Sequence, residues 1–223
     1  MQFRHHIAML LLAMICADAA RAGAWPREQG TWFLSGSVTL GWPQDMTTAT
    51  SPEPTQQYNA LYIEYGLSDR LTLGLDLGRS VSGGGKTIAF LQYPLRNQDT
   101  GLKAAVQIGL GTIDEAPVIR PGFSLGWGYE RGWFSADGVA EFGIQTQETD
   151  WKLDVTLGRR LNRDRKLILQ MQMGAPSSDP PFARFAPSIV FPLNERLKLE
   201  TGGVWGVTGD TQMGLKIGLW AEF

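Results

Sequence analysis

Apolar and polar residues alternate along most of this chain with a period of two, the spacing that sends successive side chains to opposite faces of a β-strand. In "LTLGLDLG" (71–78), Leu71, Leu73, Leu75 and Leu77 share one face, and Thr72, Gly74, Asp76 and Gly78 share the other. Ala104, Val106, Ile108 and Leu110 oppose Lys103, Ala105, Gln107 and Gly109, and Trp151, Leu153, Val155 and Leu157 oppose Lys152, Asp154, Thr156 and Gly158. Leu167, Leu169, Met171 and Met173 oppose Gln170 and Gln172, while Leu197 and Leu199 oppose Lys198 and Glu200. In the last segment Met213, Leu215, Ile217, Leu219, Ala221 and Phe223 oppose Gln212, Gly214, Lys216, Gly218, Trp220 and Glu222. No charge falls on the apolar phase of these six segments. Weaker alternation marks six more, near 31–42, 57–66, 87–96, 119–129, 133–144 and 182–192, which predicts twelve strands. No run carries apolar residues at helical spacing.

The connections alternate in character. Five are tight and charged: "GLSDR" (66–70), "RNQDTG" (96–101), "ERG" (130–132), "LNRDR" (161–165) and "LNER" (193–196). Asn and Asp suit such tips because their side chains bond their own backbone. The others are longer on average and richer in Gly, Pro, Ser and Thr, notably 43–56 and 175–181. This punctuation predicts an all-β, up-and-down antiparallel barrel, closed so that no edge strand is left unpaired. Pro94 and Pro187 each remove a ladder donor within a predicted strand.

Alternation does not by itself say where the apolar face points. Three features favour lipid. Strands of about ten residues, rising ~3.3 Å per residue at a tilt of ~40°, match the ~25 Å apolar band of an outer-membrane barrel. An interior built from Lys, Asp, Glu, Gln, Ser and Gly would make a poor dry core. Aromatic residues gather near strand ends, as interfacial girdles do: Trp32, Trp42, Tyr65, Tyr93, Trp127, Tyr129, Trp133, Trp151 and Phe191. The reading is a transmembrane β-barrel with both termini periplasmic, and a secreted soluble ligand-binding barrel is its competitor.

The ends of the chain support export. Met1 to Ala22 has the parts of a signal peptide: Arg4, an apolar run from Ile7 to Ile15, and the small residues Ala20 and Ala22 flanking Arg21. The apolar run is shorter than the ~20 residues a membrane-spanning helix needs. Residues 1–22 are therefore expected to be cleaved, leaving 23–223 as one barrel domain. Cleavage removes the single cysteine, Cys16, and both histidines, His5 and His6. Of the 20 basic and 22 acidic residues, Arg4, Arg21 and Asp18 go too, leaving 18 and 21 and a net charge of −3. That balance speaks against a nucleic-acid binder.

At the other end, "KIGLWAEF" (216–223) resembles the C-terminal assembly signal of bacterial outer-membrane barrels, with Lys216, Gly218, Trp220 and the terminal Phe223 in its pattern and Ala221 where a larger residue is commoner. The stretch "YGLSDRLTLGLDLG" (65–78) is similar to hairpins of uncharacterised proteobacterial outer-membrane proteins, some loosely described as transporter-like or linked to phenol degradation. The resemblance implies an outer-membrane location, lipid as surroundings and recognition of the last strand by the barrel-insertion machinery. It implies no substrate.

Candidate chemistry is confined to charges on the polar phase: Glu64, Asp76, Arg96, Lys103, Arg120, Asp137, Glu141, Lys152, Asp154, Arg160, Arg184, Lys198, Glu200, Lys216 and Glu222. They suit either a constriction that selects small hydrophilic solutes or a salt-bridged interior that props the wall. Asp137, Glu141 and Asp154 are a further candidate set for a cation. A mature chain without histidine lacks the usual general base near neutral pH, and without cysteine or histidine it lacks the common transition-metal ligands. No enzyme and no cofactor are therefore expected. "SGGGKT" (82–87) mimics the end of a phosphate-binding loop, but Ser80 stands where that pattern needs glycine and a strand, not a helix, follows. Two functions stay open at this point: a passive, porin-like channel for small hydrophilic solutes, and a non-conducting structural or surface-interaction barrel whose 43–56 loop meets an envelope partner.

Overall fold

The computed structural model describes residues 23–45, 47, 52–98 and 101–223; the expected leader, with Ala20 and Ala22, lies outside the described residues. Twelve strands follow one another: β1 (Trp32–Pro43), β2 (Gln56–Ser68), β3 (Leu71–Ser80), β4 (Gly83–Arg96), β5 (Leu102–Ile113), β6 (Ala116–Tyr129), β7 (Gly132–Gly143), β8 (Thr149–Arg160), β9 (Lys166–Ala175), β10 (Phe182–Pro192), β11 (Leu197–Thr208) and β12 (Gln212–Glu222). Each pairs antiparallel with its neighbours in sequence, and β1 pairs with β12 to close the barrel. That seam runs from Phe33 opposite Glu222 to Pro43 opposite Gln212. It is finished by the Trp32 N–H donating to the Phe223 carbonyl at 3.0 Å and the Phe223 N–H donating back at 3.1 Å. The terminal alternation of "KIGLWAEF" is thus one side of the closing ladder.

The period-two phase resolves into outside and inside as lipid requires. Leu110 is 60% exposed and Ile217 59%, while Glu64 on the opposite phase is 2% exposed. A wall with leucine outward and carboxylate inward is stable only where the outer solvent is hydrocarbon. Most of the aromatic residues near strand ends lie on this outer face, among them Trp32, Tyr93, Trp127, Tyr129 and Trp151. Trp133 is a correction. It shares its phase with Ser135 and Asp137, points inward and is 2% exposed, so it belongs to no interfacial girdle.

Both described ends of the barrel domain and the five tight turns lie at one end. At the other end two connections, 81–82 and 114–115, are also only two residues long, so the expected greater length there rests mainly on 44–55 and 176–181. The prolines act as their missing donors dictate. The β4–β5 register shifts between Pro94 and Arg96, and the β10–β11 pairing is interrupted between Phe185 and Ser188, around Pro187. Gly83–Lys86 opens β4, and the phosphate-loop look-alike is a strand.

One segment departs from the wall altogether. Residues 23–27 turn back into the lumen at the tight-turn end, with Ala24, Trp25 and Arg27 buried. Trp25 and Ala24 join Trp133, Ile168, Val190 and Trp220 in an apolar cluster inside the barrel, and Phe33 packs on its flank. Two glycines make the room. A Cβ on Gly126 would come within 2.5 Å of the Trp25 ring, and one on Gly66 within 1.9 Å of the Glu28 carbonyl oxygen. Gly30 and Thr31 then lead into β1 through backbone bonds with Gly66.

Candidate functional site in the barrel lumen

The lumen is lined by the polar phase of all the strands, and most of its charges are arranged in ion pairs rather than left in rings of one sign; Asp137 and Asp154, facing each other on β7 and β8, make no ion pair among the described residues. Asp76 on β3 accepts from Lys86 Nζ at 2.8 Å and from Arg120 Nη1 at 2.6 Å, joining β3, β4 and β6. Arg120 also lies 3.9 Å from Glu141 Oε1, and Lys152 Nζ reaches Glu141 Oε2 at 2.6 Å, which carries the chain of charges on to β7 and β8. On the opposite wall Glu200 is the hub. It accepts from Lys216 Nζ at 3.0 Å, the Ser188 hydroxyl at 2.8 Å and the Trp220 indole N–H at 3.0 Å. Lys198 pairs with Glu222 nearer the tight-turn end, and Arg184 pairs with Asp210 at the far end. Burial of such carboxylates is tolerable because each gains a cation, and Glu200 gains two further donors.

The inward-turned segment is tied into the same network. The Arg27 guanidinium meets Glu64 at 2.5 Å, with both side chains under a tenth exposed, and the Arg27 backbone N–H donates to the Thr72 hydroxyl at 3.0 Å. Tyr62 donates its phenol O–H to the other Glu64 oxygen at 2.8 Å. Gln92 donates to the Gly23 carbonyl, and Gly23 lies so close to the Asp137 carboxylate that a Cβ there would sit 1.9 Å from Oδ1. The tight-turn half of the lumen is therefore filled by protein.

Beyond this plug two cavities of about 570 and 460 Å³ share Tyr58, Gln170, Gln172 and Lys216 in their walls. The first reaches back to Gly23 and Arg27, and the second extends past Ser37, Thr39 and Gln56 toward the Asp210 end. Together they offer amide, hydroxyl and paired charges to anything small and hydrogen-bonding.

Against the sequence-derived set, the structure brings Glu64, Asp76, Arg120, Asp137, Glu141, Lys152, Asp154, Glu200 and Lys216 to the first cavity. Lys198 lies in its pair with Glu222. Lys103 is different: although its phase is inward, its ammonium is held at the tight-turn rim by Asn97 Oδ1 and the Gln98 carbonyl. Asp137 stands directly across from Asp154 on the next strand, yet these two do not converge with Glu141 on a cation site. Among the described residues no cluster of three acidic, histidine or cysteine side chains could hold a metal ion. Arg27, Lys86 and Asp210 were not singled out from the sequence. Lys86 shares its inward phase with Ile88 and Phe90, two large apolar side chains that hide the alternation in β4, whereas Arg27 sits outside any strand and carries no signal of this kind.

The sequence matches no protein-family model and no curated protein. Solved structures do share its fold. The KdgM porin in complex with disordered oligogalacturonate superposes with a TM-score of 0.63 at 9% identity, covering 85% of this chain and 99% of the other. The NanC porin gives 0.65 at 10% identity over 83% and 98%. An outer-membrane channel from Pseudomonas putida F1 gives 0.58 at 10% identity over 92% and 100%. At these identities the likeness is one of fold: a closed twelve-stranded barrel of the kind that porins and channels use.

Proposed function

We propose that this protein is a passive outer-membrane channel for small hydrophilic solutes, narrowed by its own N-terminal segment. The observation that carries the reading is the polar, ion-paired lumen with two adjoining cavities, enclosed by a wall whose outer face is apolar. The fold shared with porins and channels supports it. In this reading the solute trades its hydration for the amides and hydroxyls of Gln56, Gln170, Gln172, Ser37 and Thr39, while the paired charges hold the wall apart without offering a deep electrostatic trap. No acid–base or nucleophilic chemistry enters, and the solute leaves unchanged.

A second reading is favoured by one observation. Residues 23–27 and the cluster of Trp25, Trp133 and Trp220 fill the tight-turn half of the lumen, as a non-conducting structural barrel would have it. Single-channel recording of the refolded protein in a planar bilayer separates the two. The channel reading expects discrete conductance steps, altered in size or ion preference by Glu141→Gln. A barrel shown to be folded by its heat-dependent gel shift, yet silent both intact and with residues 23–28 deleted, would leave only the structural role.

A further inference from the structure

At the tight-turn end the barrel carries an arginine cluster for which the lumen has no use. A cavity of about 580 Å³ between the β6–β7 and β8–β9 turns is lined by Arg131, Arg159, Arg160, Leu161, Asn162 and Arg165. Every cation that faces the central lumen cavities has a carboxylate partner, as described above. These four guanidiniums have none among the described residues, although Glu130 and Asp164 lie in the same two turns. Their contacts are slight: Arg160 Nη1 lies 3.4 Å from the Glu130 carbonyl and its Nε is buried without a partner, while Arg165 stacks over Phe191 at 5.4 Å. A chain acidic overall has gathered unpaired positive charge at one corner.

The phase of the strands says which way that corner looks. Arg159 follows Leu153, Val155 and Leu157 on the lipid-facing side of β8 and stands opposite outward-facing Leu167 of β9. Arg165 precedes Leu167 on the same phase and reaches the outward ring of Phe191. Arg131 follows Trp127 and Tyr129, which are 59% and 44% exposed on the outer face of β6. Arg131, Arg159 and Arg165 thus lie one step beyond the last apolar and aromatic residues, at the depth where acyl chains give way to headgroups, while Arg160 is on the inward phase of β8 behind them. Guanidinium is suited to that place, because its planar fork binds phosphate oxygens two at a time and it is weakly hydrated.

From this juxtaposition we infer that Arg131, Arg159 and Arg165 form a binding site for the phosphate headgroup of an anionic phospholipid in the leaflet at the tight-turn end, the periplasmic leaflet when short turns are periplasmic. The site rests on the membrane-spanning reading of the barrel but not on conduction. One acyl chain would lie along Leu157 and Leu167 while the phosphodiester sits among the guanidiniums.

The test is native mass spectrometry of the folded barrel in detergent, titrated separately with phosphatidylglycerol, phosphatidylcholine and inorganic phosphate. The wild type should retain one phosphatidylglycerol in preference to phosphatidylcholine, and inorganic phosphate should compete poorly. A cation near an anionic lipid surface is worth about fivefold in binding, so R131Q/R159Q/R165Q should lose the preference by roughly a hundredfold, and R159Q alone by about fivefold. The control R70Q/R96Q/R196Q removes the same charge at the other tight turns and should keep the preference. Equal retention of the two lipids by the wild type would overturn the site, as would equal loss in the control, which would mean net charge alone. Displacement of the lipid by inorganic phosphate at equal concentration would make it a site for a soluble anion and overturn the lipid assignment. Retention of the gel shift and of any conductance in R159Q keeps a failed site distinct from a failed barrel, and release of the protein from membranes without detergent would instead count against the membrane reading.

Discussion

The two halves of the lumen solve the problem of a polar interior in opposite ways. Toward the Asp210 end the space between the walls is left to cavities, and Glu141, Glu200 and Asp210 are each matched by a cation from a neighbouring strand. Toward the tight-turn end the space is filled by tryptophans and by a piece of chain that brings its own arginine for Glu64. The first half is hollow and lined by hydrogen-bonding groups. The second resembles the core of a soluble domain enclosed within a membrane barrel, and in the channel reading it is the half that decides whether anything passes through.

The largest test of this contrast is deletion of residues 23–28. Single-channel conductance should rise severalfold, because both cavities would then open to the tight-turn mouth; an unchanged step size would mean that the constriction lies in the ion-paired half. Next in size are substitutions that loosen the plug in place. Trp25→Ala removes the largest side chain that the segment buries, a change costing about 3 kcal/mol in a well-packed site, and Glu64→Ala strips a carboxylate partner from a buried guanidinium at a similar cost of about 3 kcal/mol. Each should make tryptic cleavage after Arg27 rapid in the folded barrel while the gel shift persists. Smaller again is Glu200→Gln, which leaves Lys216 without its carboxylate and should shift the channel toward anions; a reversal-potential measurement in asymmetric salt reads it.

The smallest effect lies outside the barrel, in the long loop. Asp45 accepts from the Thr47 hydroxyl at 2.6 Å and from its backbone N–H at 3.0 Å, and these bonds hold its carboxyl below the usual range. A depressed pKa means that the turn is favoured above the ordinary carboxylate range and loses that support as pH falls through the folded value. Thr47→Ala should bring the Asp45 titration, followed by NMR, part of the way back toward its ordinary position without changing conductance, since the backbone N–H of residue 47 still donates.

The wall of the first half and the plug of the second also differ in how far the sequence reveals them. A strand advertises its faces locally, so the phase of Leu71–Gly78 or Trp151–Gly158 assigns Asp76, Lys152 and Asp154 to the interior without any knowledge of the partners across the barrel. Parity would have placed Trp133 there too, since it alternates with Phe134 and shares a face with Ser135 and Asp137; its nearness to a strand end was the weaker guide. The plug has no such signature. "GAWPRE" has no period, and its place depends on hollows left by Gly66 and Gly126, which are distant in sequence and visible only once the strands are curled. Lys103 shows the limit of phase from the other side: alternation gives the face, but the depth at which a long side chain settles was set by the nearest turn acceptors, Asn97 and Gln98.

The order of docking follows from the plug. Residues 23–28 precede every strand, yet the groups that receive them come from all around the ring: Glu64 and Thr72, Gln92, Gly126, Trp133 and Trp220 on the closing strand itself. No hairpin or half-barrel presents that set. Contacts so far apart in sequence form late, after the chain entropy of the whole ring has been overcome. The segment nearest the start of the barrel domain is therefore the last part of it to reach its native position.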